Sequence, residues 1–137
     1  MSVFLLPWLP RPPPDFRKRC RSISTDDVVG LQALANHALD ENQLNVLAKT
    51  VDRCQETGSP AKELISLRLA LLGNGTTSFM VAALKASALR YGLLLEVIEA
   101  PYDMAFQTAI DPESEINRAA PEFALIAFDQ NLLQWPN

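Results

Sequence analysis

The chain has 137 residues, 48% of them apolar and 20% charged, with a formal net charge of −4. That is about one domain's length with an ordinary globular composition, which excludes the disordered and fibrous classes. Its basic residues Arg17, Lys18, Arg19 and Arg21 crowd the start and its acidic residues Glu96, Glu99, Asp103, Asp111, Glu113, Glu115, Glu122 and Asp129 the end, a balance that argues against a nucleic-acid binder.

The opening MSVFLLPWLP lacks a basic start, and Pro7 and Pro10 interrupt its apolar run, so no signal peptide is expected. No run approaches the ~20 apolar residues of a spanning helix, so no membrane association is expected. Cys20 and Cys54 lie far apart, without CxxC spacing and with His37 as the single imidazole. This pattern supports neither a zinc site nor a disulfide framework, and points to reduced thiols in a cytoplasmic protein.

Pro7, Pro10, Pro12, Pro13 and Pro14 make the first stretch an extended arm, whose Trp8 and leucines are expected to pack on their own domain or a neighbouring one. The RKRCR cluster that follows reads as a solvated helix face, with an acidic or phosphate-bearing partner as the alternative. From Ser24 the pattern is helical, with Thr25 as N-cap and apolar positions at Val28, Leu31, Leu34, Ala35, Ala38 and Leu39. After the polar break Asp40 to Asn42, a second helix carries Leu44, Leu47, Ala48, Val51 and Cys54 on one stripe. Gly58, Ser59 and Pro60 end this helical hairpin. The expected organisation is an arm and basic segment (1–23), the hairpin (24–60) and an α/β segment (61–137).

The α/β segment opens on LRLALLGNGTTS. Leu67 to Leu72 reads as a buried strand, Gly73 and Gly75 as a sharp turn, and Thr76, Thr77 and Ser78 as caps of a helix over Phe79 to Tyr91, which buries Met80, Leu84, Ala88 and Tyr91. Gly92 stops that helix in the C′ position. A second strand covers Leu93 to Ile98, two short helices capped by Asp103 and Asp111 follow, and a third strand covers Phe123 to Phe128. Strands separated by helices imply a parallel α/β sheet of the three-layer, Rossmann or flavodoxin-like kind, and right-handed crossovers favour the order 2-1-3. Ligand contacts then belong at the switch point, between the Gly73 to Ser78 loop and Asp129, Gln130 and Asn131. A parallel sheet needs cover on both faces, so the segment is expected to be incomplete or completed by another surface, including a second copy of the chain.

The chemistry available to this loop is limited. GNGTT has neither the GxxxxGK[ST] spacing and its Lys nor the third Gly of GxGxxG. Thr76 or Thr77 as a nucleophile would need a base, and His37 lies far away in the sequence, in the helical hairpin. No Asp-x-Asp pair exists for Mg-assisted phosphoryl transfer. Catalytic residues are therefore expected to be none, with Gly73, Asn74, Gly75, Thr76, Thr77 and Asp129 as the candidate ligand-binding loop.

The run from Leu72 to Asp129 resembles the N-terminal domain of FkbH-like proteins of the haloacid dehalogenase superfamily. The resemblance rests on the Gly-ended strand, the Ala- and Leu-rich helix, the stretch Tyr91 to Tyr102, the DP-containing turn Ile110 to Ser114, and the apolar strand that ends in Asp129. Upstream, LPWLPRPPPDFRKRCRSI and LQALANHALDENQLNVLAK are also similar to that family. It implies an SGNH-hydrolase-like fold in which Gly73-Asn74-Gly75 takes the place of a Gly-Asp-Ser block, with no counterpart of the later Asp-x-x-His. It also implies an absent C-terminal haloacid dehalogenase domain, which would carry the phosphatase or glyceryl-transfer chemistry on acyl carrier protein, in polyketide-type pathways, and any Mg. The expected role is then a non-catalytic accessory or binding domain without cofactor of its own. Arg17, Lys18, Arg19 and Arg21 would be the contact for an acidic carrier protein. The alternatives are a hydrolase-like domain with a degenerate active site and a stand-alone assembly module.

Overall fold

The computed structural model describes residues 6–57 and 63–129, so Gly58 to Pro60, Gln130 and Asn131 lie outside the described residues. Along the chain come α1 (Phe16–Ser22), α2 (Val28–Ala35), α3 (Glu41–Glu56), β1 (Ile65–Gly73), α4 (Ser78–Ala88), β2 (Leu93–Glu99), α5 (Ala105–Ile110), α6 (Glu115–Ala119) and β3 (Phe123–Ala127). They form two compact units: Met1–Ser66 with Ala82–Leu94, and Leu67–Val81 with Leu95–Asn137.

In the first unit α2 and α3 begin on side-chain hydrogen bonds. Asp40 accepts from the Gln43 amide at 2.8 Å while the Gln43 side chain accepts from the Asp40 amide at 2.9 Å, a capping box that turns the expected polar break into the start of α3. Asp27, not Thr25, caps α2, accepting from the Gly30 amide at 2.8 Å. Ala38 and Leu39 therefore fall beyond the helix end, half-buried. Helix α1 carries the RKRCR cluster on its exposed side, as expected. Its Phe16 and Cys20 join Leu31, Leu34, Leu47, Val51 and Cys54 in one core, together with Ala86, Leu89 and Leu94. Both cysteines are free and buried, and burial pushes both thiols up.

Two arginines satisfy the carbonyls that helix ends leave open. Arg53 donates to the carbonyls of Cys20 at 3.1 Å, Arg21 at 3.3 Å and Ile23 at 3.4 Å, closing the end of α1. Arg90 donates to the carbonyls of Ala35 and His37 beyond α2. The Pro-rich arm is tied down at Pro10, whose carbonyl accepts from the Ala38 amide at 2.8 Å. Its Trp8 is 73% exposed and so does not pack on its own domain.

In the second unit the sheet has the expected order, β2-β1-β3. Strands β1 and β3 are parallel, with Leu69 opposite Phe123 and Gly73 opposite Ala127. The β1–β2 bonds, Ile65 amide to Gly92 carbonyl and Ala100 amide to Leu71 carbonyl, advance in the same direction and make that pair parallel too. Ala70 and Leu72 pack with Ile98, Ala100, Ala105 and Ile116, so α5 and α6 cover one face of β1. At the outer strand, Phe123 and Ile126 point to opposite faces and are 59% and 62% exposed.

Local chemistry accounts for three departures from expectation. Helix α4 ends in a 3-10 turn, Leu89–Tyr91, before Gly92 takes φ 71°. Tightening the turn rotates Tyr91 off the buried stripe, to 76% exposed. Asp103 sits at φ 55° and does not cap α5. Asp111 accepts from the Glu113 amide in a local turn, and Ser114 is the cap of α6.

Arg68 organises the entry to the sheet. Its amide donates to the Glu122 carboxylate at 2.7 Å, its guanidinium to the Ala119 carbonyl at 2.9 Å, and it pairs with Glu96 at 3.2 Å. The Arg68 amide holds the Glu122 carboxyl below its ordinary value. A depressed carboxyl stabilises the fold above its ordinary pKa, and the effect is lost as pH falls through the folded value. The urea midpoint of the wild type is thus expected to fall on acidification below the usual glutamate range, and Glu122→Gln to flatten that part of the profile.

Candidate functional site at the carboxyl edge of the sheet

The residues at the end of β1 show how this edge is built. A Cβ on Gly73 would lie 2.6 Å from Thr77 Cγ2 and 2.9 Å from the Ala127 carbonyl oxygen, so only glycine lets the loop after β1 close against the end of β3. Next to it, the Asn74 side-chain oxygen accepts from the Asp129 amide at 2.9 Å. The expected switch point is thereby formed in part by a direct bond between two of the candidate residues. Gly75 differs from Gly73, because nothing lies within 4 Å of a Cβ placed there. Thr76 is exposed and Thr77 buried, its body held against Gly73. Ser78, which begins α4, donates to Glu99 at 3.4 Å.

The structure thus brings Gly73, Asn74, Thr77 and Asp129 together and leaves Gly75 and Thr76 open to solvent. Sequence reasoning missed Glu99. Its signal was its place as the last residue of β2, at the edge where β1 and β3 also end. Among the described residues, no group of three or more His, Cys, Asp or Glu could hold a metal ion. His37 sits in the first unit with Nδ1 3.1 Å from the Leu34 carbonyl, a contact that a local structural role explains.

The second set of candidates, Arg17, Lys18, Arg19 and Arg21, lies exposed on α1. Arg19 pairs with Asp15 at 2.9 Å, one turn earlier, and the ion pairs among the described residues include none of the other three. Among the described residues no helix is long and apolar enough to cross a membrane.

Residues 68–133 match the family model described as FkbH, N-terminal domain. No curated protein matches. The crystal structure of the N-terminal part of the protein BF1531 from Bacteroides fragilis, containing a phosphatase domain complexed with Mg, is similar with a TM-score of 0.51 and 25% identity. The similarity covers 62% of this chain and 22% of that one, so this chain spans well under two thirds of its structural relative. The resemblance to the N-terminal domain of FkbH-like proteins is borne out over the segment that carries the sheet and its loops.

Proposed function

We propose that this chain is a non-catalytic N-terminal accessory domain of an FkbH-like protein, one that binds and positions a partner for chemistry done elsewhere. The observation that carries the reading is Gly75. In the SGNH-like reading of the loop it stands where a nucleophile would, has no side chain to supply one, and faces open space. The similar Bacteroides fragilis structure contains a phosphatase domain with Mg. By analogy, a linked haloacid dehalogenase domain supplies the phosphatase or glyceryl-transfer chemistry, and Mg belongs to it. The exposed apolar side chains Phe106, Ile110, Phe123 and Ile126 support a docked neighbour, with a second copy of the chain as the alternative occupant.

The positioned partner in this reading is an acyl carrier protein in a cytoplasmic, polyketide-type pathway, and α1 is the contact. Arg17, Lys18 and Arg21 are exposed cations without an ion pair among the described residues, suited to an acidic surface. Calorimetric titration with an acidic acyl carrier protein is expected to show affinity that falls as salt rises. Replacing Arg17, Lys18 and Arg21 together by Glu is expected to weaken it at least tenfold. Affinity indifferent to both salt and charge reversal would remove this contact.

A further inference from the structure

We propose that the cavity between α1 and α2, in the first unit, is an anchor pocket for an acidic amphipathic helix of a partner protein. The cavity measures about 280 Å³, with Ile23, Gly30, Ala33 and Leu34 as its apolar lining, Arg19 and Ser22 on its polar side, and no Asp or Glu among its lining residues. A cavity of about 150 Å³ already holds a benzene ring, so this one has room for a Leu, Met or Phe side chain. Here we build on the reading of α1 as the contact for an acidic partner, and add a seat for that partner's apolar side chain.

The composition of α2 marks this surface as one that meets a partner. From Val28 to Ala35 the helix carries no charge, and Gln32 is its only polar side chain. A surface helix is ordinarily apolar along one stripe and polar on the opposite face. Helix α2 buries Val28, Leu31, Leu34 and Ala35 and still shows solvent a second apolar side, with Val29 75% exposed and Ala33 exposed one turn on. The cavity lies against that second side, at Gly30 and Ala33.

Charge selects the kind of partner. At about 100° per residue, the exposed arc of α1 runs from Arg17 and Arg21 through Lys18 to Ser22 and Arg19, so its cations continue directly onto the cavity. Arg19 pairs with Asp15, and the ion pairs among the described residues include none of Arg17, Lys18 and Arg21. The acids at the start of α2 are engaged, since Asp27 accepts from the Gly30 amide and Asp26 from the Ser24 hydroxyl. A basic ridge that ends in an apolar concavity is complementary to a helix with carboxylates along one side and a Leu, Met or Phe anchor beside them. A free phosphate or a nucleic acid would use the cations and leave the apolar lining idle.

The test is a fluorescence-polarisation titration of the full chain with a labelled helical peptide bearing Glu along one side and Leu at the anchor positions. One control peptide has Ser for Leu, the other Lys for Glu. The Glu/Leu peptide is expected to bind at least tenfold more tightly than either control. Ala33→Gln obstructs the cavity from an exposed helical position and should leave the thermal midpoint unchanged. It is expected to weaken the Glu/Leu peptide at least fivefold and to leave the Ser control unaffected. Equal binding of either control, no binding of the Glu/Leu peptide, or affinity unmoved by Ala33→Gln would overturn the proposal. Titration with the acyl carrier protein separates the pocket from the α1 contact. Salt-dependent carrier binding that ignores Ala33→Gln overturns the pocket and leaves the α1 contact standing. Peptide binding through the cavity without carrier binding supports the pocket and removes the carrier protein as its partner.

Discussion

Gly73→Ala is expected to cost the fold about 1–3 kcal/mol, whereas Gly75→Ala, two residues on, leaves it unharmed. At Gly73 the new methyl meets Thr77 Cγ2 at 2.6 Å and the Ala127 carbonyl oxygen at 2.9 Å. Thr77 is buried and β-branched, so it has little room to turn away, and Ala127 belongs to the β3 backbone opposite Gly73 itself. Relief must come from parting the ends of β1 and β3, which also pulls Asp129 away from Asn74. At Gly75 the added methyl meets nothing within 4 Å and the backbone is not in the left-handed region. There Ala reduces the freedom of the unfolded chain and is expected to be neutral or to stabilise by about 0.4–1 kcal/mol. Urea midpoints of the two variants measure the contrast. The same pair separates two meanings of glycine in one loop: Gly73 permits a close approach, and Gly75 leaves a space.

Phe16→Ala is expected to be the more damaging change, at about 3–5 kcal/mol. Phe16 is 2% exposed and lies in one core with Cys20, Leu47 and Val51. Helix α1 has only seven residues and no side-chain cap at Asp15, far below the length at which a helix persists unaided. It is held by the burial of Phe16 and Cys20, by the Arg53 bonds at its end, and by the Thr50 hydroxyl, which donates to the Cys20 carbonyl at 3.4 Å. Removing the ring deletes the largest of these supports and leaves a cavity. Cys20 reports the result, because its thiol is buried in the wild type. Alkylation by iodoacetamide under native conditions should speed up at Cys20 in Phe16→Ala, and more than at Cys54. Loss of α1 order should also weaken carrier-protein binding, although Phe16 itself is buried away from any partner.

Periodicity and turn chemistry made the sheet legible in the sequence. The run Leu67 to Leu72, the Gly-rich turn and the next two apolar runs sufficed for three parallel strands in the order found, because handedness leaves few alternatives once strands and helices alternate. The contact between the loop after β1 and Asp129 followed from the same order. The Asn74 bond to the Asp129 amide did not, since a side-chain orientation carries no periodic signal. The exposed helix face at RKRCR was legible from its charge, but the support of α1 was not, since it comes from Arg53, more than 30 residues away in sequence. Caps were legible only by residue type: Thr25 and Asp103 had the right chemistry, but Asp27 and Ser114 had the right backbone. Glu99 was invisible for another reason, as it meets Ser78 only once β2 is placed beside β1.

The proposed role requires a Gly73 to Ser78 loop that binds without reacting. Its most direct test is turnover of p-nitrophenyl acetate and p-nitrophenyl phosphate by the purified chain, beside its Asn74→Ala and Thr76→Ala variants. The account predicts rates at background for both substrates, the same in all three proteins. Turnover above background that disappears in Thr76→Ala would contradict it and make this edge of the sheet an active site.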